Sequence, residues 1–137
     1  MKAEQISLST LDNRNVLSLI ETSRNGVDLD TFDEITGEFP FDLSDWSRIL
    51  HISERTIQRY RKDKRKFDSI HTDRLLQIMI LLNKGIEVFG NTDNFLSWLN
   101  SLNIALGSIK PIELLDNSFG INMVTNELIK IEYGVLA

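Results

Sequence analysis

The 137-residue chain has no cysteine, two prolines, two histidines and seven glycines. Without cysteine there is no disulfide framework, no thiolate zinc site and no thiol nucleophile. That also fits a reducing cytoplasm. So little proline and glycine excludes collagen-like and mucin-like chains. At 42% apolar and 26% charged residues, the composition is that of globular protein. No apolar run reaches the roughly 18 residues of a membrane span. The opening MKAEQISLSTLDNR lacks the basic start and apolar core of a signal peptide. A cytoplasmic protein with no membrane partner is expected. His51 and His71 are the only side chains that ordinarily titrate near neutrality, and no nucleophile or carboxylate constellation accompanies them. Gly90, Gly107 and Gly120 are isolated rather than gathered into a phosphate loop, and ligands at metal-binding spacing are missing. The expectation is therefore no enzyme, no cofactor and no metal.

What is present is unevenly distributed. Residues 1–47 hold three Lys/Arg against ten Asp/Glu, whereas residues 48–74 hold nine of the fifteen basic residues against four acidic ones. The whole-chain net charge of −5 hides this segment, whose local balance suits nucleic acid. A solvated helix face, or a face for an acidic protein, has the same composition.

The basic segment coincides with a pair of short helices. Ser44 is read as the cap of the first, with Trp46, Ile49 and Leu50 on one face. Ser53 caps the second, Glu54 to about Asp63, with Ile57 and Tyr60 inward. Only His51 and Ile52 separate them, so the helices must cross steeply, as in a helix-turn-helix. His51 stands where glycine is usual, at a strained positive φ, and is read as a buried structural histidine rather than a ligand. The second helix then offers Ser53, Arg55, Thr56, Gln58, Arg59, Arg61 and Lys62, followed by Lys64, Arg65 and Lys66. Arginine pairs with guanine and glutamine with adenine in the major groove, and the remaining bases suit phosphates.

Elsewhere the periodicity predicts helices. Asn15 to Ser23 has Val16, Leu17, Leu19 and Ile20 inward. A short helix capped by Asp30 carries Phe32, Ile35 and Phe39. A long one, Asp73 to Phe89, is capped by Thr72 and contains LLQIMILL, apolar nearly all round. Gly90 stops it, and Asn91 or Thr92 caps the next, in which Trp98 is read as core rather than a stacking platform. Pro111 opens a short helix at Ile112–Leu115. The last runs Ile121 to Glu132 with Val124, Leu128 and Ile131 inward, stopped by Gly134 before Val135-Leu136-Ala137. The fold class is all-α: a helix-turn-helix bundle joined by a long helix to a small helical domain.

Several segments, in order, resemble the Xre/MbcA/ParS antitoxins of RES–Xre toxin–antitoxin modules. They are SERTIQRY at 53–60, TDRLLQI at 72–78, VFGN at 88–91, SWL at 97–99, LNIALGS at 102–108, KPIELLDNSFG at 110–120 and IEYGVLA at 131–137. The chain departs from the family at Leu102, Ser108 and Asn117, where Pro, Gly and Thr are common. These departures bear on turn rigidity more than on chemistry. The resemblance implies a DNA-binding domain over 1–68 and a toxin-binding domain over 69–137. It implies a RES-domain toxin that consumes NAD, an operator bound for autoregulation, and a homodimer. It also implies that Glu132, Tyr133, Gly134, Val135, Leu136 and Ala137 occlude the toxin's active site. Val135 and Leu136 would each gain about 1.5–3 kcal/mol in transfer terms when inserted in a pocket, before ordering costs. Glu132 would meet basic groups there. Two alternatives stay open: a tail that packs back on its own domain, and a stand-alone helix-turn-helix regulator with a C-terminal dimerisation domain.

Overall fold

The structure, a computed structural model, describes residues 15–134. Seven α-helices appear in them: α1 Val16–Asn25, α2 Leu29–Thr36, α3 Leu43–Leu50, α4 Glu54–Asp63, α5 Ser69–Phe89, α6 Thr92–Leu99 and α7 Ser118–Glu132, with short 3₁₀ turns at Ile104–Leu106 and Pro111–Leu114. No strand occurs among the described residues; two isolated bridges join Asp28 to Lys66 and Asn103 to Ile109. The all-α reading holds. The chain divides into two compact units between Ile80 and Leu81.

In the first unit the core is aromatic at its centre. Phe32 of α2 meets the Trp46 ring of α3 and Phe67 edge-on, at 5.5 and 5.4 Å between centroids. Ile35, Ile49, Leu50, Ile57, Leu75, Ile78 and Met79 of the same unit are buried as well. The expected α2 apolar positions Phe32, Ile35 and Phe39 are all buried. The expected orientation of α1 is not found. Val16, Leu17 and Ile20 are exposed, Leu17 to 80%, and no residue of the helix is buried. Val27 and Leu29, just past its end, take the core positions instead.

Four helices, α2, α3, α5 and α7, start upstream of the points read from the sequence, while α1, α4 and α6 start where read. Asp28, not Asp30, caps α2 through the Thr31 N–H at 2.8 Å. Asp42, not Ser44, caps α3; it accepts the Asp45 N–H at 2.8 Å, and Asp45 returns the contact to the Asp42 N–H at 3.1 Å, a reciprocal capping box. Burial and the neighbouring Asp42 carboxylate push the Asp45 carboxyl above its ordinary range. At α5 the carboxylate of Asp68 accepts the His71 N–H at 2.9 Å, while Thr72 is fully buried and its hydroxyl receives the Val27 N–H at 3.2 Å.

In the second unit Phe89, Phe95 and Trp98 stack at 5.5–6.1 Å, with Phe95 fully buried and Trp98 half-buried. Gly90 at φ 88° ends α5, and Asn91 caps α6 through the Asn94 N–H. Pro111 opens a 3₁₀ turn rather than an α-helix. Asn117 caps α7, which therefore begins at Ser118, three residues before Ile121. Ile121, Val124 and Leu128 face the core, but Ile131 is exposed, because the stripe has rotated outward by the final turn. The predicted tail residues Val135, Leu136 and Ala137 lie outside the described residues.

Candidate functional site

The helix pair closes on a turn without glycine. His51 adopts the left-handed conformation at φ 57°, and the amides of His51 and Ile52 both return to the Ser47 carbonyl. This is the end that usually recruits glycine. Ile52 is buried beneath it, while His51 is exposed, contrary to the expectation of a buried histidine: a left-handed residue at a helix end points its side chain to solvent. Ser53 begins α4 by accepting the Thr56 N–H at 3.0 Å and donating to the Thr56 hydroxyl at 2.8 Å. Both hydroxyls are thus engaged locally.

Along α4, Ile57 is fully buried and Tyr60 half-buried, which turns Arg55, Gln58, Arg59 and Lys62 to the outside. Their spacing of three, four and seven residues puts them on one face. Among the described residues no hydrogen bond or ion pair occupies these four side chains.

The other basic residues are differently employed. Arg61 grips Asp33 of α2 with two hydrogen bonds, Nε to Oδ2 at 3.1 Å and Nη2 to Oδ1 at 2.7 Å. α4 stops at Asp63 because Lys64 turns left-handed at φ 53°, and the Arg65 N–H closes on the Tyr60 carbonyl at 2.9 Å. The Arg65 guanidinium lies over the Tyr60 ring at 4.9 Å. Lys66 pairs with Asp28 through the backbone, and the Phe67 N–H reaches Val27 at 2.9 Å. Gly26 makes this return possible, since a Cβ there would run into the Phe67 carbonyl oxygen at a φ of +80°. Hydrogen bonds from Thr31, with help from the Lys66 charge, hold the Asp28 carboxyl below its ordinary range. Lys64, Arg65 and Lys66 therefore form an exposed turn beside the helix rather than its continuation.

In the second unit, Glu132 in the last turn of α7 is clamped by Lys84 of α5. The ammonium donates to both carboxylate oxygens, at 2.8 and 2.7 Å, and Glu132 holds the Lys84 pKa above its ordinary value. Within the chain the Glu132 carboxylate, expected to meet a partner's basic groups, is matched by Lys84. Tyr133 is 74% exposed, and Gly134 at φ 67° turns the chain off the helix axis. The unit also displays large apolar side chains that sequence reading missed: Leu102, Ile104 and Phe119, the last 83% exposed. Phe119 falls off the 121/124/128 stripe, a signal available in the sequence.

A helix pair with a tight turn, a solvent-facing basic recognition helix and a separate helical unit defines a two-domain helix-turn-helix protein. The particular family is identified by comparison. Residues 18–79 match the antitoxin Xre-like helix-turn-helix domain, and residues 84–134 match the antitoxin Xre/MbcA/ParS C-terminal toxin-binding domain. A curated protein named Antitoxin Xre, from Photorhabdus laumondii subsp. laumondii, is 26% identical over 113 residues, covering 82% of this chain and 76% of that protein. The chain belongs to the Xre/MbcA/ParS antitoxin family. It is a non-enzymatic antitoxin, with a helix-turn-helix domain followed by a toxin-binding domain. Among the described residues no helix is long and apolar enough to cross a membrane, and no group of three metal-ligating side chains gathers.

Proposed function

We propose that this antitoxin neutralises a RES-domain, NAD-consuming toxin in the cytoplasm by occluding its active site with the segment Glu132–Ala137. The observation that carries this is the end of α7. Within the region matched to a toxin-binding domain, the helix stops at an exposed Tyr133 and a left-handed Gly134, with Val135 and Leu136 next in sequence. Glu132 serves by fixing, through Lys84, the point from which the segment departs. Tyr133, Val135 and Leu136 supply the apolar surface that fills the pocket.

The same protein binds operator DNA and autoregulates its operon. Arg55, Gln58 and Arg59 read base edges from α4, while Ser53, Thr56 and Lys62 approach the backbone beside them. Arg61, Lys64, Arg65 and Lys66 add positive field along the phosphates. A homodimer sets two copies of α4 about 34 Å apart on paired half-sites. The exposed Val16, Leu17 and Ile20 of α1 offer an apolar surface for that contact.

The test is co-expression. The neighbouring-gene toxin alone should arrest growth and deplete NAD, and the full chain should restore both. A chain lacking residues 134–137 should fold but fail to protect. Full protection by the shortened chain would refute occlusion. A neighbour that is harmless, or that this chain does not relieve, would favour a stand-alone regulator.

A further inference from the structure

The segment LNIALGS has no part in the reading above, yet it forms a hydrogen-bonded loop with exposed apolar side chains. Its two ends are cross-linked: the Asn103 N–H donates to the Ile109 carbonyl at 3.0 Å, and the Ser108 N–H donates to the Asn103 carbonyl at 2.8 Å. Inside, the Leu106 N–H meets both the Asn103 carbonyl and the Asn103 Oδ1, at 3.2 and 3.3 Å. Gly107 and Ser108 are consecutively left-handed, at φ 89° and 61°, which folds the loop back on itself. Ser108 accepts that strain where glycine is easier. Leu106 is buried and pins the loop to the domain. The other aliphatic side chains point outward: Leu102 is 69% exposed, Ile104 88% and Ile109 36%.

A rigid loop that buries one leucine and presents three aliphatics to water is built to be covered. Its occupant follows from its place. It lies wholly within residues 84–134, the part matched to a toxin-binding domain. α7, whose end releases the proposed occluding segment, packs against the turn Ile104–Leu106. Loop and helix therefore belong to the one unit matched to a toxin-binding domain. We propose that Leu102, Ile104 and Ile109 form a second anchor that docks in an apolar depression on the toxin outside its active site. It supplies affinity, while the C-terminal segment supplies inhibition. This rests on the proposed neutralisation of a toxin. A preorganised loop pays little ordering cost on docking.

The experiment uses the full-length chain and the purified RES-domain protein encoded beside its gene, with binding measured by calorimetry and toxin activity by NAD consumption. The double variant Leu102→Ser/Ile104→Ser changes only exposed side chains. It should keep its melting temperature and weaken toxin binding by roughly ten- to a hundred-fold. At saturating concentration the toxin should still be silenced. The single variant Ile104→Lys keeps the test open if the double variant misfolds, and should weaken binding in the same direction. A chain lacking residues 134–137 should bind through the loop but leave the toxin active. Unchanged affinity in the loop variants overturns the anchor and leaves the occlusion reading untouched. Loss of self-association instead of toxin affinity assigns the loop to a second copy of this chain and also overturns it. Silencing by the shortened chain sinks the occlusion reading, while the anchor stands on the affinity change. If the intact chain does not bind the toxin at all, both fail.

Discussion

Replacing Lys84 by methionine keeps the aliphatic stem and removes the ammonium that holds Glu132. The pair spans 48 residues and ties the end of α5 to the last turn of α7. Exposed ion pairs contribute about 0.2–1 kcal/mol, and breaking a fully buried one costs about 3–5 kcal/mol. Here the side chains are 28% and 25% exposed and share two charge-assisted hydrogen bonds. The loss should thus sit at the upper end of the exposed class, about 1 kcal/mol. In a chain of this size that lowers Tm by roughly 3–5 °C. Thermal unfolding of Lys84→Met, Glu132→Gln and the double variant gives the coupling, and hydrogen exchange localises it to the last turn of α7. The pH dependence has a definite sign. Glu132 raises the Lys84 pKa, so the contribution is whole below the ordinary lysine value of 10.5 and disappears as pH rises through the raised one. The gap between wild type and Lys84→Met should stay constant around neutrality and close in strong alkali. A coupling below about 0.3 kcal/mol would refute the clamp, since the scatter between independent sites is of that order.

Other outcomes follow from the same geometry. Asp42→Ala removes the cap of α3 and should cost about 1 kcal/mol, whereas Asp45→Asn keeps an acceptor, sheds a disfavoured charge and should be neutral or stabilising by denaturant titration. Gly85→Ala gains helix propensity but drives a methyl into the Phe95 ring; with that ring fully buried, overpacking of about 1–3 kcal/mol should win, and a higher Tm would contradict it. Gln58→Ala or Arg59→Ala should relax operator specificity at one base pair by about 1–3 kcal/mol, while Lys64→Ala with Lys66→Ala should weaken all sequences alike and flatten the salt dependence. Equal effects from both pairs would dissolve that division of labour.

The recognition helix was legible because its signals are local. Ser53 is the cap, Ile57 and Tyr60 mark the inner face, and α4 runs from Glu54 to Asp63 as read. The starts of α2, α3, α5 and α7 lie upstream of those read, whereas the caps of α1 and α6 fall at Asn15 and Asn91 as read. Asp28, Asp42, Asp68 and Asn117 all act upstream of the residue chosen from the apolar stripe. A first helical turn is often solvent-facing and needs no apolar residue, so a stripe marks where burial begins, not where the helix begins. The helix α1 is where it was read, but Val16, Leu17 and Ile20 do not face inward, for another reason. Periodicity reveals an apolar face but not whether this chain has anything to lay against it, and Leu17 stays bare. At the candidate sites, residue types were readable but their commitments were not. Arg61 finds Asp33 across 28 residues and Glu132 finds Lys84 across 48, pairings that only the packed helices bring about. The left-handed φ of Lys64 sends the basic run back along residues 26–28, a course set by contacts far away in sequence.

The central claim is that this antitoxin silences its toxin by filling the NAD site. The direct measurement is the rate of NAD consumption by the purified neighbouring-gene toxin, titrated with the full chain at several NAD concentrations. The account predicts complete inhibition near one chain per active site, with an apparent affinity that falls as NAD is raised. A stable complex that continues to consume NAD, or inhibition indifferent to NAD concentration, would contradict it.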